Sequence, residues 1–122
     1  MTPDEMKQRT RRFAVRVIHA VESLPGTRLA DVIGRQLLGS ATSVGANYRA
    51  ACRARSKAEF LAKLGIVEEE ADESIYWMEL LMEAGLMKQT KLAKLVQEAG
   101  EILAIVVSSI KTTRRRTGSR KA

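Results

Sequence analysis

Residues 36–47 of the chain read QLLGSATSVGAN. Leu37 and Val44 are spaced so that both lie on one face of a helix, although Gly39 and Gly45 interrupt the stretch. Each glycine inside a helix costs about 1 kcal/mol relative to alanine. We therefore expect a helix whose small-residue surface allows a neighbouring helix to approach closely. A loop over residues 39–46 is the alternative.

Apolar residues recur at steps of three and four in four segments, each delimited by helix start and stop signals. Thr2, Thr27 and Ser56 are the predicted N-caps, and Glu5 and Glu59 follow two of them at capping-box spacing. The predicted inward positions, segment by segment, are Met6, Phe13, Val17, Val21 and Leu24; Leu29, Val32, Ile33, Leu37, Val44, Tyr48 and Ala51; Phe60, Leu64, Val67, Ala71, Ile75, Met78 and Met82; and Leu92, Leu95, Val96, Ala99, Ile102, Leu103, Val106 and Ile110.

The links between these segments are short, so consecutive helices should pack antiparallel. The predicted fold class is all-α, an antiparallel up-down-up-down four-helix bundle that occupies residues 1–113 as one domain. Residues 114–122 combine dense basic charge with Gly118 and Ser119, and this composition predicts a disordered C-terminal tail. Aromatic residues make up only 4% of the chain, which suits helices better than a β-sandwich.

The 122-residue chain has a formal net charge of +7, and its charges are unevenly distributed. From Glu59 to Glu83 there are eight acidic residues and one basic residue, Lys63. From Lys7 to Arg16 there are five basic residues and no acidic one. The third helix is therefore predicted to be acidic, and the basic charge is predicted to lie elsewhere on the surface.

The sequence carries no recognisable catalytic residue set. A di-iron site in a helical bundle needs Glu-x-x-His motifs on two helices, but His19 is the only histidine and Arg16 stands three residues before it. The chain also lacks a Gly-x-Ser-x-Gly nucleophile motif and a glycine-rich phosphate-binding loop. We therefore expect no enzymatic activity, no metal and no cofactor.

The sequence also bears on cellular location. Cys52 is the only cysteine and suits a reducing compartment, where it would be a small buried hydrophobe. The N-terminus has no apolar segment typical of a signal peptide. The longest apolar stretch, residues 102–107, is far short of the roughly 20 residues that a membrane span needs. We expect a cytoplasmic protein that does not enter a membrane.

A polar stripe follows the second helix at steps of four, three and four residues. Its members are Gln36, Ser40, Ser43 and Asn47. The stripe is either exposed to a partner or buried as a hydrogen-bonded network, since a buried polar group without a partner costs about 1–3 kcal/mol. We favour a structural network, with Arg35 and Glu73 as candidate hydrogen-bonding partners.

The candidate nucleic-acid-binding residues are basic side chains from three parts of the chain. They are Arg9, Arg11, Arg12 and Arg16; Arg49, Arg53, Arg55 and Lys57; and Arg114, Arg115 and Arg116. Basic stripes can follow nucleic-acid phosphates, although no aromatic residues lie among these for base stacking. Alternatively, they contact the acidic helix of a neighbouring subunit, and a head-to-tail contact of that kind can close into a ring.

The polar stripe and the downstream Glu59-Phe60 pair carry a resemblance to a known family. The chain resembles the bacterial four-helix-bundle proteins first noticed as products of intervening sequences in large-subunit (23S) ribosomal RNA genes, to which the accessory variability proteins of diversity-generating retroelements are similar. The resemblance covers roughly residues 10–112. The chain departs from the pattern at Ala50-Ala51, where members often have Glu-Gly, and at Glu69-Glu70, where a small pair often precedes Glu73.

The resemblance implies an up-down bundle that assembles into a pentameric ring and has no enzymatic activity. In the retroelement branch it also implies a basic surface that binds nucleic acid, RNA or DNA, and a reverse transcriptase partner. Carried over by position, the four stripe residues match the family pattern, and Glu73 matches an acidic position in the third helix.

Overall fold

The computed structural model describes the backbone of residues 1–121 and the side chains of residues 1–116. It contains four helices: α1 (Pro3–Glu22), α2 (Arg28–Cys52), α3 (Lys57–Glu83) and α4 (Gln89–Lys121). There is no strand within residues 1–121. α1 packs against α2 and α4, and α3 packs against the same two helices, as in a four-helix bundle. The predicted all-α bundle is confirmed, and α2 is helical throughout residues 36–47.

Side-chain caps begin the first three helices as predicted. The Thr2 hydroxyl accepts a hydrogen bond from the Glu5 amide (3.1 Å), and the Glu5 carboxylate accepts one from the Thr2 amide (3.3 Å), which completes a capping box. Thr27 caps α2 in the same way with its hydroxyl. Ser56 accepts from the Glu59 amide at 3.0 Å, but the Glu59 carboxylate binds the amide of the residue before the cap, so the box of α3 is incomplete.

Glycines set the distance between α1 and α2. A Cβ atom on Gly45 would lie 3.3 Å from the Thr10 hydroxyl, and one on Gly34 would lie 3.4 Å from a methyl group of Val21, near the end of α1. The later part of α2 thus faces the early part of α1, and the reverse holds at the other end, so these two helices run antiparallel. The predicted close approach is confirmed at Gly45. It is wrong at Gly39, where a Cβ would have no neighbour within 4 Å.

The core contains large buried side chains from every helix, among them Phe13, Leu37, Leu64 and Ile102. They lie at the three- and four-residue spacing that predicted them. All predicted inward positions are buried or half-buried except two at the start of α2, discussed next. None of the helices, as far as residue 121, has an apolar stretch long enough to cross a membrane.

The prediction that Leu29 and Val32 face inward is wrong, since they are 58% and 53% exposed. The small residues Ala30 and Gly34 occupy the buried positions in the first turns of α2. Gly34 already lies against α1, so a larger side chain would have no room there. The apolar period alone could not separate these two faces because both carry nonpolar residues.

The bundle was predicted to end at residue 113, but α4 continues without a break through Arg114–Arg116 and on to Lys121. Its last described side chain is the exposed Arg116. The side chains of residues 117–121 and all of Ala122 lie outside what the structure describes. The backbone of residues 114–121 is helical, and the domain boundary at residue 113 and the disordered tail over residues 114–122 stay predictions.

Candidate nucleic-acid interface

The basic run of α1 and the acidic helix α3 lie at opposite edges of the bundle. Among the described residues, no Cα atom of α1 comes within 8 Å of a Cα atom of α3, so these helices are diagonal to each other. Basic residues occur on α1 from Lys7 to Arg16, whereas α3 exposes carboxylates such as Glu69, Asp72 and Glu79. The charge asymmetry of the sequence thus becomes two oppositely charged edges of one molecule.

A groove of about 480 Å³ lies between α1 and α2, and we call it the α1–α2 groove. Its basic lining residues are Lys7 and Arg11 from α1 and Arg49 from α2. Its other lining residues are small, namely Ala14, Thr42, Gly45 and Ala46. All of these residues are described by the structure, and none of them is acidic.

Local sequence explains this groove. Lys7 and Arg11 are one helical turn apart and project from the same side of α1. Gly45 brings α2 against Thr10, and the short side chains beside it leave a shallow floor that does not fill the space between the cations. Lys7 Nζ lies 3.8 Å from Asp4 Oδ1 in an exposed pair. Such a pair is worth about 1 kcal/mol or less and leaves the ammonium free to bind an anion.

Arg9 projects from the other side of α1, toward α4. Its Nε and Nη2 donate to the two carboxylate oxygens of Glu98 at 2.7 and 2.8 Å, and Nη2 also donates to Glu101 at 2.8 Å. The Arg9 and Glu98 side chains are only 19% and 17% exposed. We call these three residues the ion-pair cluster. Arg9 is among the predicted nucleic-acid-binding residues, but in the structure its guanidinium is hydrogen-bonded to carboxylates of α4 and so links α1 to α4.

The ion-pair cluster shifts the pKa values of Arg9 and Glu98 in the directions that keep both groups charged. The hydrogen bonds from Arg9 are the largest influence on Glu98 and hold the pKa of its carboxyl below the ordinary value, although partial burial opposes them. The same hydrogen bonds raise the pKa of the Arg9 guanidinium. Arg12 and Arg16 also lower the pKa of Glu98 by their charge. Arg9 and Glu98 are therefore both ionised at neutral pH.

Beyond the ion-pair cluster, a groove of about 400 Å³ lies between α1 and α4, and we call it the α1–α4 groove. Arg16, His19, Lys91 and Lys94 line it. The sequence analysis missed both lysines because they stand at the start of α4, far along the chain from the basic run of α1. Their three-residue spacing, which places them on one face of the helix, was the available signal.

The remaining predicted basic residues lie outside these two grooves. Arg12 is exposed and lies beside the ion-pair cluster. Arg53 caps the C-terminus of α2 and, like Arg55, is exposed, while Lys57 is half-buried at the start of α3. Arg114–Arg116 are exposed in the late turns of α4. The structure therefore brings together a subset of the predicted residues along α1.

The polar stripe of α2 does not form a single network. Ser40 is buried, and its hydroxyl lies 3.0 Å from the hydroxyl of Ser74 on α3. Ser43 and Asn47 instead donate to carbonyl oxygens of their own helix, at 2.7 and 2.9 Å, and Gln36 is exposed. Ser40 is thus the member of the stripe that the structure links to a neighbouring helix.

The two partners predicted for the stripe bind other residues. Arg35 Nε lies 3.1 Å from Asp31 Oδ2, within α2. The Glu73 carboxylate accepts a hydrogen bond from Trp77 Nε1 at 3.2 Å, within α3. Both contacts join residues that are one helical turn apart. Such residues are neighbours on the surface of any helix, whatever the helix packs against. Among the described side chains, Arg35 and Glu73 thus bind these neighbours, and their link to the stripe stays a prediction.

Titratable groups away from the grooves make no second candidate site. Over the described residues, no three His, Cys, Asp or Glu side chains are placed to hold a metal ion. Tyr48 and Cys52 lie one turn apart and are half-buried. Burial, with a smaller contribution from Cys52, raises the pKa of Tyr48 to about 12, so its phenol is protonated at neutral pH.

Known proteins resemble this arrangement of helices. A crystal structure of a protein of unknown function from the S23 ribosomal protein family of Bacteroides thetaiotaomicron superposes with a TM-score of 0.85 at 34% sequence identity. The match covers 91% of this chain and 99% of that one. No curated protein matches the chain. The sequence pattern of the 23S rRNA-intervening sequence proteins matches residues 4–108. The chain therefore belongs to the 23S rRNA-intervening sequence protein family.

Proposed function

We propose that the protein is a non-catalytic, cytoplasmic homo-oligomer that binds nucleic acid, RNA or DNA, through the edge of the bundle formed by α1 and its two flanking grooves. The α1–α2 groove carries this proposal. It gathers Lys7, Arg11 and Arg49 around a floor of small residues, and none of its described lining residues is acidic.

This groove has the properties that a phosphodiester backbone needs. Phosphates bind lysine and arginine with the release of condensed counterions, which gives an affinity that falls steeply with salt. The small floor residues let a phosphate oxygen come between the cations without a steric barrier. The acidic α3 lies at the opposite edge and repels nucleic acid from that side. The electrostatic field of the protein therefore turns the α1 edge toward an approaching nucleic acid.

The test is a titration of fluorescently labelled RNA and DNA, single-stranded and duplex, at about 50 and 200 mM salt. We expect binding that weakens at the higher salt concentration. Replacing both Arg11 and Arg49 with glutamine should weaken it further and lower the salt dependence by about one phosphate contact for each residue. Arg35→Gln removes one positive charge, from an arginine paired with Asp31, and is the matched control for each single replacement, Arg11→Gln and Arg49→Gln. Undetectable binding at the lower salt concentration would contradict the proposal.

The second candidate is a structural homo-oligomer in which these charges serve assembly. It is supported by the diagonal placement of the basic run and the acidic helix, because the α1 edge of one copy can then contact α3 of the next. Such head-to-tail contacts close into a ring when the rotation permits. The family resemblance suggests five subunits, and in the retroelement branch it suggests a reverse transcriptase partner.

Light scattering separates the two candidates. A ring that forms without nucleic acid and dissociates when Arg11 and Arg49 are changed to glutamine would favour the assembly role. A ring that persists in this variant while nucleic-acid affinity falls would favour phosphate binding.

A further inference from the structure

We propose that α1 binds in the major groove of B-form duplex DNA, so that duplex DNA is the nucleic acid that this edge recognises. This inference rests on the proposed function and adds to it a partner class and an orientation. It follows from the placement of cations on both sides of α1 and from the residues that α1 exposes between them.

Cations flank α1 on both sides. The α1–α2 groove holds Arg11 and Arg49 on one side, and the α1–α4 groove holds Lys91 and Lys94 on the other. One helix with its side chains, about 10–12 Å across, separates the two grooves. The major groove of B-form DNA is about 12 Å wide, admits an α-helix and is bordered by a phosphate backbone on each side. Each cation-lined groove can therefore face one backbone.

The two sets of cations are also staggered along α1. The α1–α2 groove meets α1 at Lys7 and Arg11, and the α1–α4 groove meets it at Arg16 and His19. The offset is about nine residues, or roughly 13 Å along the helix axis. A straight helix that crosses a groove obliquely comes near one border at each of its ends, and a staggered arrangement of cations fits this geometry.

Between the two grooves, α1 exposes side chains that suit base edges. Gln8 and Val15 are exposed on its outer face, two helical turns apart, and Arg11, which lines the α1–α2 groove, lies at the margin of this face. Glutamine and arginine can bind adenine and guanine through two hydrogen bonds, and an apolar side chain can contact the thymine methyl group. Between Glu5 and Glu22, about 24 Å along the helix, α1 itself carries no acidic residue. The carboxylates of Glu98 and Glu101, on α4, are bound to Arg9 on the side of α1 that faces α4.

Other nucleic acids fit this edge less well. The major groove of A-form RNA is deep and narrow, and it does not admit a helix. Single strands are usually held by stacking of bases on aromatic rings. Phe13 of α1 is only 1% exposed, and Tyr76 and Trp77 belong to α3 at the opposite edge. Duplex DNA is the class that uses both the cations and the outer face of α1.

The first experiment compares duplex DNA, duplex RNA and single-stranded DNA of one sequence by fluorescence anisotropy with the full-length protein. We expect affinity for duplex DNA about tenfold or more above that for duplex RNA. Methyl green, which occupies the major groove, should displace the protein, and netropsin, which occupies the minor groove, should not. Equal affinity for DNA and RNA, or displacement by netropsin alone, would overturn this inference and leave the proposed function standing. Absence of binding to all three would overturn both.

The second experiment places a negative charge on the outer face of α1. Val15→Glu should weaken binding to duplex DNA about tenfold or more, because a carboxylate would face the base edges and both backbones. Val32→Glu is the matched control, since Val15 and Val32 are 45% and 53% exposed and Val32 lies on α2 outside both grooves. The control should change affinity by about twofold or less. Equal losses in both variants, with unchanged thermal unfolding and size, would show that α1 is not the contacting helix.

Discussion

The guanidinium of Arg9 and the carboxylate of Glu98 form two parallel hydrogen bonds, of 2.7 and 2.8 Å, that join α1 to α4. Both side chains are less than one-fifth exposed, and Glu101 adds a third hydrogen bond to the same guanidinium. Paired hydrogen bonds between ionised groups are about twice as strong as neutral ones and fix the relative orientation of their partners. This contact therefore stabilises the bundle, whereas Arg11, two residues later, lines the α1–α2 groove.

Arg9→Gln and Arg11→Gln should affect different properties: the first should lower stability, and the second should lower nucleic-acid affinity. Arg9→Gln removes the charged partner of Glu98 and should lower the free energy of unfolding by about 1–2 kcal/mol, with little effect on nucleic-acid affinity. Arg11→Gln should change stability by about 0.5 kcal/mol or less. It should weaken nucleic-acid binding and reduce its salt dependence by about one phosphate contact. Urea unfolding and anisotropy titrations of both variants provide the measurements.

Arg9→Lys serves as the conservative control for this pair. Lysine retains the charge but cannot make two parallel hydrogen bonds to a carboxylate, so its stability should lie between those of the wild type and Arg9→Gln. If Arg9→Gln weakened nucleic-acid binding as much as Arg11→Gln did and left unfolding unchanged, the structural role of Arg9 would be wrong.

The same pair predicts a dependence of stability on pH. The hydrogen bonds from Arg9 lower the folded-state pKa of Glu98 below its ordinary value of 4.5. A carboxyl group whose pKa is depressed on folding contributes its stability in full above the unfolded-state pKa, and the contribution disappears as the pH falls through the lower folded-state value. Arg9 stays charged throughout this range because its own pKa is raised. The free energy of unfolding should therefore decrease as the pH is lowered through and below 4.5.

Glu98→Gln isolates this contribution from other carboxyl groups. Burial, followed by the charges of Glu73 and Glu69, raises the pKa of Glu70, which acts on stability in the opposite direction. The difference in urea midpoint between wild type and Glu98→Gln should be largest near neutral pH and shrink below pH 4.5. A constant difference across this range would show that the Glu98 charge does not contribute.

The sequence predicts features that depend on neighbours within a few residues. The Thr2 capping box and the helix over residues 36–47 are of this kind, because caps and apolar periods are local patterns. The roles of Arg9 and Arg11 are not. Both belong to one basic run, and what separates them is the position of Glu98, which lies 89 residues further along the chain from Arg9. Only the packing of α1 against α4 distinguishes an ion-paired arginine from a free one.

The buried contact between Ser40 and Ser74 shows the same limit and supplies a prediction. The spacing of the stripe identified Ser40, but nothing local identified Ser74, whose hydroxyl lies 3.0 Å away across the α2–α3 interface. Each hydroxyl also lies within hydrogen-bonding distance of a carbonyl oxygen of its own helix. Replacing either serine with alanine therefore leaves the other with a partner, and each change should lower the free energy of unfolding by only about 0.5–1 kcal/mol.

The double variant Ser40→Ala, Ser74→Ala measures the contact itself. Its loss of stability should be smaller than the sum of the single losses by about 0.5 kcal/mol, because either single change already breaks the bond between the helices. Urea unfolding of the four proteins completes the cycle. Strict additivity would mean that the two hydroxyls do not interact.

The glycines of α2 provide a matched pair, because one lies against α1 and the other does not. Gly39 has open space where a Cβ would be, so Gly39→Ala should raise the free energy of unfolding by about 0.5–1 kcal/mol through helix propensity alone. A Cβ on Gly45 would lie 3.3 Å from the Thr10 hydroxyl and 3.5 Å from the Thr10 carbonyl carbon. That hydroxyl is hydrogen-bonded to the Met6 carbonyl at 2.9 Å and cannot turn aside without losing the bond.

Gly45→Ala should therefore gain less stability than Gly39→Ala or lose some, since the gain in helix propensity is offset by displacement of α1. Thermal and urea unfolding of the two variants compare the positions directly. Gly45→Ala should cost less in a Thr10→Ala background than in the wild type, because Thr10→Ala removes the hydroxyl that lies nearest to the added Cβ. If Gly45→Ala stabilised the protein as much as Gly39→Ala, the close approach of α1 and α2 at Thr10 would not be a constraint. The small-residue floor of the α1–α2 groove would then need another explanation.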